Sequence, residues 1–368
     1  MRVKLEDVCE RGTSSLMQKD IVDKNGKYPV YGASGRIGSM ETYQQEHQTV
    51  AVVKDGAGIG RTMLLPEKSS IIGTMQYLIP KNCIEPEYLY YAVKYMHLEK
   101  YFSGATIPHI YFRDYKTEEF NLHNKTEQQE IISTLKRVEA VISNRREQLA
   151  MLDELVKARF VEMFGDPISN PFGFKVKTLQ KMIDDGTIMY HLDGNHGSDY
   201  PRNEEFVECG VPYISANCIV HNDVNLKLAK HLTEERASKL RKGIAQNGDV
   251  LFAHNATVGP VAILYTDDEK VILGTSLTAY RCDKERMVPD YLKAYMQSEG
   301  FVCQYTKDMK QTTRNQVPII AQRKFLFVIP PLSLQNQFAA FAAEVDKSKL
   351  FAELFAQNAC ILAENRSK

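Results

Sequence analysis

Residues 126–164 read TEQQEIISTLKRVEAVISNRREQLAMLDELVKARFVEMF, a stretch without proline or glycine. Apolar side chains recur along it at alternating spacings of four and three, which predicts one long helix with a single apolar stripe. The stripe comprises Ile131, Leu135, Val138, Ile142, Leu149, Leu152, Val156 and Met163, with Arg145 and Arg159 as charged members. At about 1.5 Å per residue the helix would be about 58 Å long. Gly165-Asp166-Pro167 is a typical stop signal at its end.

A second stretch with the same spacing follows Pro330-Pro331. Its stripe comprises Leu334, Phe338, Phe341, Val345, Ala352, Phe355, Ala359 and Leu362, with Ser348 as the polar member. A long helix with one apolar stripe must bury that stripe. We therefore expect the two helices to pack against each other as an antiparallel pair. The alternative is that each helix lies on its own domain.

The sequence that precedes each helix is repeated, which indicates two copies of one structural unit. The recurring segments keep their order and pair as Tyr28–Ser34 with Val211–Asn217, Val50–Gly60 with Asp249–Gly259, Ser70–Thr74 with Val271–Thr275, Glu85–Leu89 with Val288–Leu292, and Lys125–Gln129 with Leu332–Asn336. Two unrelated domains that share common strand-and-turn patterns are the alternative.

Each copy is predicted to contain strands, turns and a helix. Thr49–Val53 and Asp249–Ala253 have the composition of strands, whereas Pro86–Tyr95 and Pro289–Gln297 begin with proline and continue at helical spacing. We expect an α/β (α+β) fold in which two similar recognition domains are separated by two long antiparallel coiled-coil helices, with pseudo-twofold symmetry. The expected bounds are 1–124 and 173–331 for the domains, 125–165 and 332–368 for the spacer helices, and 166–172 for a linker.

The composition limits the class of protein. Lys plus Arg and Asp plus Glu are both 46, so the chain lacks the basic excess typical of nucleic-acid binding, and any DNA contact must come from local patches. The charged N-terminus and the lack of a long apolar run predict neither a signal peptide nor a membrane span. The seven cysteines are odd in number and lack C-x-x-C spacing, which favours a reducing cytoplasm over disulfides or a zinc site.

Two similar domains on a rigid spacer would act as a ruler on DNA, because a rod of about 58 Å spans some 17 base pairs. This arrangement resembles the specificity subunits of type I restriction-modification systems, in which two target-recognition domains alternate with two helical spacers. The local marks of the resemblance are Tyr28–Gly35, Gly104–Thr106, Met163–Pro167 and Ile329–Gln335.

The resemblance implies a function and a set of partners. The chain would read a bipartite, asymmetric site on double-stranded DNA. It would hold two methyltransferase subunits and, for restriction, the restriction/translocase subunits. It would be no enzyme and would bind no cofactor or metal itself, because S-adenosylmethionine, ATP and magnesium would belong to the partner subunits.

The sequence also allows two other functions. Asp55-Gly56-Ala57-Gly58-Ile59-Gly60 resembles a glycine-rich S-adenosylmethionine loop, which would make the chain a stand-alone methyltransferase. Such a loop needs a helix directly after it, whereas residues 61–66 have the composition of a strand, so we expect a turn. The third hypothesis is a stand-alone DNA-binding regulator.

Candidate DNA-contacting residues lie in loops at equivalent places of the two copies. Base readout needs forked donors or acceptors, whereas phosphates take lysine, arginine and hydroxyl groups. The candidates in the first copy are Ser34, Arg36, Lys54, Arg61, Thr106, His109, Tyr111 and Arg113. Those in the second copy are Ser215, Asn217, Lys239, Arg241, Lys242, His254, Asn255, Lys310, Gln311, Thr312, Arg314 and Asn315.

If Arg314 makes a bidentate contact with one base, Arg314→Ala is expected to weaken or relax readout of the second half-site by about 1–3 kcal/mol. Equilibrium binding to duplexes with single base changes measures this loss. Unchanged discrimination at every position would remove Arg314 from the set of readers.

Overall fold

The computed structural model describes residues 1–21, 26–104, 108–309 and 315–367, and the chain divides into two units. Unit 1 comprises Met1–Gln148 and Ala352–Lys368, and unit 2 comprises Leu149–Phe351. Both boundaries fall inside long helices, so each of these helices contributes one part to each unit.

Short strands and helices precede the first long helix. The strands are β1 (Arg2–Lys4), β2 (Cys9–Thr13), β3 (Tyr28–Gly32), β4 (Gly35–Met40), β5 (Thr49–Val53), β6 (Thr62–Leu65), β7 (Ser70–Ile71), β8 (Met75–Pro80) and β9 (Glu119–Asn121). The helices are α1 (Leu5–Val8), α2 (Pro86–Tyr95), α3 (Phe112–Tyr115) and the long α4 (Lys125–Phe164), with 3₁₀ turns at Gln18–Asp20 and Leu98–Tyr101.

The second part of the chain has more strands. They are β10 (Lys175–Thr178), β11 (Ile188–Asp193), β12 (Phe206–Val207), β13 (Val211–Ile214), β14 (Ile219–Val220), β15 (Asp223–Val224), β16 (Lys230–Leu232), β17 (Ile244–Ala245), β18 (Val250–Asn255), β19 (Thr257–Ile263), β20 (Val271–Leu273), β21 (Leu277–Cys282) and β22 (Leu326–Ile329). The helices are α5 (Leu179–Asp184), α6 (Glu234–Ser238), α7 (Pro289–Gln297), α8 (Glu299–Met309), α9 (Ile319–Gln322) and the long α10 (Leu332–Ser367). The 3₁₀ turns are Gly197–Asp199, Asn203–Glu205, Ala216–Cys218 and Leu226–Leu228.

The two units share the topology of their four-stranded sheet, whereas the second sheet has three strands in unit 1 (β4-β3-β7) and five in unit 2 (β12-β16-β13-β20-β17). Unit 1 has a four-stranded antiparallel sheet in the order β2-β8-β5-β6, and unit 2 has its counterpart in the order β11-β21-β18-β19. A parallel pair also recurs, β3 with β7 and β13 with β20. In each unit the first strand pairs with the strand before the long helix, as β1–β9 and as β10–β22.

Several predicted elements are confirmed in their bounds. Helices α2 and α7 cover the predicted Pro86–Tyr95 and Pro289–Gln297, each with proline in the first turn, and β5 covers Thr49–Val53. Strand β18 was predicted to end at Ala253 but continues to Asn255. It does so because it turns back directly into β19 through Ala256, whose positive φ of 64° allows a tight reversal.

The two long helices run antiparallel where both belong to unit 2. The rings of Phe160 on α4 and Phe338 on α10 are 5.7 Å apart, and Asp153 on α4 pairs with Lys349 on α10 at 2.8 Å. Residue numbers therefore fall along α4 as they rise along α10. None of the helices in the described ranges is long and apolar enough to cross a membrane.

The buried face of α4 contains the predicted stripe and extends one position beyond it: Leu135 of the stripe is 2% exposed and the other stripe members are partly buried. Phe160 and Phe164 are 3% and 2% exposed, although neither lies on the four-three spacing. They are buried because α4 contacts α7 as well as α10: Phe164 and Tyr291 have ring centroids 4.8 Å apart. In unit 1, Ile132 of α4 is likewise buried in the core that contains α2. Helix α4 therefore packs on the core of unit 1 near its start, and on both α7 and α10 of unit 2 near its end.

Phe338→Ala is expected to destabilise unit 2 by about 3–5 kcal/mol, because it removes a fully buried ring that contacts Phe160 and Phe164. Urea unfolding followed by tyrosine fluorescence measures the change. Leu350→Ala on the same helix is the matched control, since Leu350 is 58% exposed. Equal effects of the two substitutions would contradict the packing described here.

Candidate DNA interface

In unit 1 the turn after β5 is held against the segment that leads into α3. The amide of Gly56 donates to the carbonyl of Pro108 at 3.0 Å, and the amide of Ile110 donates to the carbonyl of Lys54 at 2.9 Å. Two segments that are far apart in sequence, and that were both predicted to contact DNA, are therefore neighbours.

A third segment, the turn between β3 and β4, is joined to them by an arginine. The guanidinium of Arg61 donates to the carbonyl of Ala33 at 2.8 Å. Ser34 and Arg36 follow directly and are exposed, as Arg61 is. We call residues 33–36, 54–61 and 108–113 loop cluster 1.

Polar and aromatic side chains are stacked within loop cluster 1. Nδ1 of His109 donates to the carboxylate of Asp55 at 2.7 Å, which fixes the orientation of the imidazole, since an ionised carboxylate only accepts. The rings of His109 and Tyr111 are stacked with centroids 6.3 Å apart. The guanidinium of Arg113 lies 4.8 Å from the centroid of Tyr111, and Tyr111 is 45% exposed.

Unit 2 repeats the backbone contacts of unit 1. The amide of Ala256 donates to the carbonyl of Asn315 at 3.1 Å, and the amide of Val317 donates to the carbonyl of His254 at 2.8 Å. These four residues occupy the structural places of Gly56, Pro108, Ile110 and Lys54, so the structure pairs Lys54 with His254, one residue further along the chain than the sequence repeat does. The same two segments are therefore brought together twice by the same pair of hydrogen bonds.

The turn after β13 and the end of β18 both contact Ser276, which directly precedes β21. The hydroxyl of Ser276 accepts from the amide of Ala216 at 2.9 Å, and the carbonyl of Ser276 accepts from the amide of His254 at 2.9 Å. Ser215 is half-buried and Asn217 is exposed beside this contact. We call residues 215–217, 254–257 and 315–317 loop cluster 2.

The remaining candidates of unit 2 are placed differently. Lys239, Arg241 and Lys242 are exposed on the loop between α6 and β17, where Lys239 pairs with Glu235 at 2.7 Å. Asn315 is exposed in loop cluster 2.

Five candidates cannot be located, because they lie outside the described residues. They are Thr106, Lys310, Gln311, Thr312 and Arg314.

His254 lies beneath loop cluster 2 rather than on its surface. It is 1% exposed, and its Nδ1 donates to the carbonyl of Val317 at 3.1 Å. Its neighbour Asn255 is half-buried and pairs with Gln316 in an isolated bridge. A contact between His254 and DNA would need the segment around Val317 to open.

A buried hydrogen-bond network lies in the same unit and was not predicted. Oε1 of Gln322 accepts from the hydroxyl of Tyr280 at 2.6 Å and from Nε2 of His191 at 3.2 Å. Nε2 of Gln322 donates to the hydroxyl of Thr278 at 3.1 Å. Burial lowers the pKa of the His191 imidazole to about 4 and also lowers the pKa of His254.

The corresponding place in unit 1 holds a different pair. Nε2 of Gln76 on β8 donates to the hydroxyl of Tyr115 on α3 at 2.9 Å, whereas unit 2 links Thr278 on β21 to Gln322 on α9. In both units a side-chain hydrogen bond therefore joins the equivalent strand to the equivalent short helix, but the residue types differ. Because they differ, no sequence match between the copies could have identified this hydrogen bond.

The glycine-rich segment after β5 is a hairpin turn. The amide of Gly60 donates to the carbonyl of Val53 at 2.9 Å, and β6 follows antiparallel to β5. Gly56 and Gly60 have φ of 94° and 80°, a region that favours glycine. The predicted turn is confirmed, and the segment lacks the following helix that a nucleotide loop requires.

A comparison with known families agrees with this description. Residues 1–152 match the family model of the Type I restriction modification DNA specificity domain. This part of the chain, 152 of its 368 residues, is similar to that domain. The resemblance inferred from the sequence is thereby confirmed.

One curated relative is the Type I restriction enzyme MjaIX specificity subunit of Methanocaldococcus jannaschii, which is 27% identical over 154 residues. The match covers 39% of this chain and 36% of the relative. The chain is thus matched to about a third of that protein's length.

Two solved structures share the fold over the whole of this chain. One is the S subunit of a type I restriction-modification system from M. genitalium, with 15% identity, a TM-score of 0.59 and 95% of that chain covered. The other is a structure described as the basis of complex assembly and conformational transition of the type I R-M system. It has 15% identity, a TM-score of 0.55 and 96% of that chain covered. At this identity the likeness is one of fold.

The stability of unit 2 is expected to fall as the pH decreases from about 6.5 to about 4. An unfolded histidine takes up a proton near pH 6.5, whereas buried His191 stays neutral until its pKa of about 4. The unfolded state therefore binds more protons within this window, at a cost to folding of up to about 3 kcal/mol.

His191→Gln is expected to remove this part of the pH dependence. The measurement is the free energy of unfolding in urea at several pH values between 4 and 7. His221→Gln is the matched control, because His221 is an exposed histidine of the same unit. A slope in His191→Gln as steep as in the parent would refute the assignment.

Proposed function

We propose that the chain is the DNA sequence-recognition subunit of a type I restriction-modification complex and has no catalytic centre of its own. The observation that carries this proposal is the duplication of the loop clusters. In both units the same pair of backbone hydrogen bonds joins the turn after the central strand to the segment before a short helix. Two equivalent surfaces with different side chains suit a bipartite, asymmetric site, since each can read different bases.

The two long helices would form an antiparallel coiled coil that relates the units by pseudo-twofold symmetry. The contacts of Phe160 with Phe338 and of Asp153 with Lys349 in unit 2 support this. The part of α4 up to Gln148 and the part of α10 from Ala352 belong to the same unit, which also supports the proposal.

The side chains proposed to contact DNA fall into two groups. Forked donors and acceptors in the loop clusters would read bases, and lysines and arginines on neighbouring loops would bind phosphates. The proposed base readers are Arg61, His109, Arg113, Asn217, Asn255 and Asn315, and the proposed phosphate ligands are Arg36, Lys54, Lys239, Arg241 and Lys242.

The proposed partners supply the chemistry. Two methyltransferase subunits would bind S-adenosylmethionine and methylate the site, and restriction/translocase subunits would use ATP and magnesium. The chain would determine where these subunits act. Its zero net charge fits a scaffold that relies on partners for much of the phosphate affinity.

Co-purification with a methyltransferase subunit tests the proposal. The complex is expected to methylate a split recognition site, which methylation mapping of genomic DNA identifies, and the methyltransferase without this chain should not do so. Methylation of the same site in the absence of this chain would overturn the proposal. Tight sequence-specific binding by the isolated chain without any partner would instead favour a stand-alone regulator.

Arg113→Ala is expected to weaken or relax the half-site read by unit 1 by about 1–3 kcal/mol and to leave the other half-site unchanged. Arg113 is suited to this role because it is exposed and stacked on Tyr111. Methylation rates on duplexes with single base changes measure the effect. Arg2→Ala is the matched control, since Arg2 is an exposed arginine of the same unit paired with Glu119 on β9. Equal losses at both half-sites would exclude a base contact by Arg113.

A further inference from the structure

A glutamine is fully buried in the first turn of each long helix, Gln128 in α4 and Gln335 in α10. The two occupy the same place in the sequence repeat, which pairs Lys125–Gln129 with Leu332–Asn336. Burying a carboxamide is unfavourable unless its donor and acceptor groups are engaged. The DNA contacts proposed above give neither glutamine a role.

Both glutamines accept the same hydrogen bond. Oε1 of Gln128 accepts from the amide of Glu85 at 2.8 Å, and Oε1 of Gln335 accepts from the amide of Val288 at 2.9 Å. Glu85 and Val288 directly precede the first turns of α2 and α7, the helices that pack on the four-stranded sheets. Each glutamine thus ties the start of a long helix to the start of a helix of the unit.

Both glutamines also donate to the loop by which the chain enters the long helix. Nε2 of Gln128 donates to the carbonyls of His123 at 2.8 Å and Cys83 at 3.0 Å. Nε2 of Gln335 donates to the carbonyl of Pro330 at 2.9 Å. The entry loop, the long helix and the helix of the unit therefore meet at one side chain.

A tyrosine reinforces each junction. The hydroxyl of Tyr88 on α2 donates to the carbonyl of Asn121 at the end of β9, at 2.8 Å. The hydroxyl of Tyr291 on α7 donates to the carbonyl of Val328 on β22, also at 2.8 Å. Hydrogen bonds are directional, so these contacts fix the angle between the long helix and the helix it joins more closely than apolar packing alone would.

A small error in that angle would matter over the length of the helix. Helix α4 has 40 residues and is therefore about 60 Å long. A tilt of about 3° at one end moves the other end by about 3.4 Å, which is one base-pair step of B-DNA.

We propose that Gln128 and Gln335 are positioning residues. Gln128 fixes the angle between α4 and α2, and Gln335 fixes the angle between α10 and α7. The two angles together set the number of unread base pairs between the half-sites. This inference rests on the proposed function. The glutamines act through the helix direction and contact no base.

The test uses the complex with its methyltransferase subunits and the variants Gln128→Met and Gln335→Met. Methionine keeps the approximate shape of glutamine and removes its strong hydrogen bonds. Methylation rates are measured on duplexes that carry both half-sites with the native spacer and with one base pair more or fewer. The matched controls are Gln129→Met and Asn336→Met, which change exposed neighbours on the same helices.

The parent complex is expected to prefer the native spacer strongly. In the glutamine variants the ratio of the rates on native and altered spacers should fall about tenfold or more, while discrimination against single base changes within each half-site stays as in the parent. The control variants should keep the parental ratio. A folded glutamine variant with an unchanged ratio, or with equal losses on all spacers, would overturn the inference.

The result separates the inference from the proposed function. If the parent complex itself shows no split-site or spacer preference, the proposed function fails. If the parent is selective and the variants are equally selective, only the role of the glutamines fails. Gln128→Asn and Gln335→Asn carry the same test if a methionine variant does not fold, because asparagine is one methylene shorter and cannot reach all the same partners.

Discussion

The packing of three aromatic rings at the junction of α4, α7 and α10 is the constraint on which the functional geometry of unit 2 depends. Phe160 of α4 lies 5.7 Å from Phe338 of α10 and 5.8 Å from Tyr291 of α7. A single helix with an apolar face is marginal in water, so α4 and α10 obtain their stability from this contact. The same rings belong to the core beneath the sheet of β18 and β21, which supports loop cluster 2 from below.

The long helices could be predicted from spacing, but their buried faces only in part. An alternating four-three spacing of apolar residues predicts only the face of a helix that packs on one neighbouring helix. Phe160 and Phe164 fall beside that pattern because they also face α7, and Ile132 does so because it faces the core that contains α2. A helix that packs on two neighbours buries two adjacent stripes, and the sequence does not say which belongs to which neighbour. Helices α2 and α7 were predictable to the residue because proline fixes where each begins.

The sequence predicted which loops would contact DNA, but not which residues within those loops contact one another. The repeat identified the turns after β5 and β18 because they match in sequence, yet the pairing of Asp55 with His109 joins residues 54 positions apart, which no local pattern encodes. His254 was predicted at the surface because it follows a strand, but β18 continues past it and its ring is buried. Gln128 and Gln335 were visible as matching positions, and only their hydrogen-bond partners give them a role.

The long sequence separation between Phe160 and Phe338 has a consequence for how the protein is made. The ribosome completes α4 about 180 residues before it completes the partner ring on α10. At about 5–20 residues per second, the apolar face of α4 stays exposed for on the order of 10 to 40 seconds before α10 is made and covers it. Unit 2 can therefore close its core only after α10 has been synthesised, and until then α4 presents an aggregation-prone surface of the kind that chaperones bind.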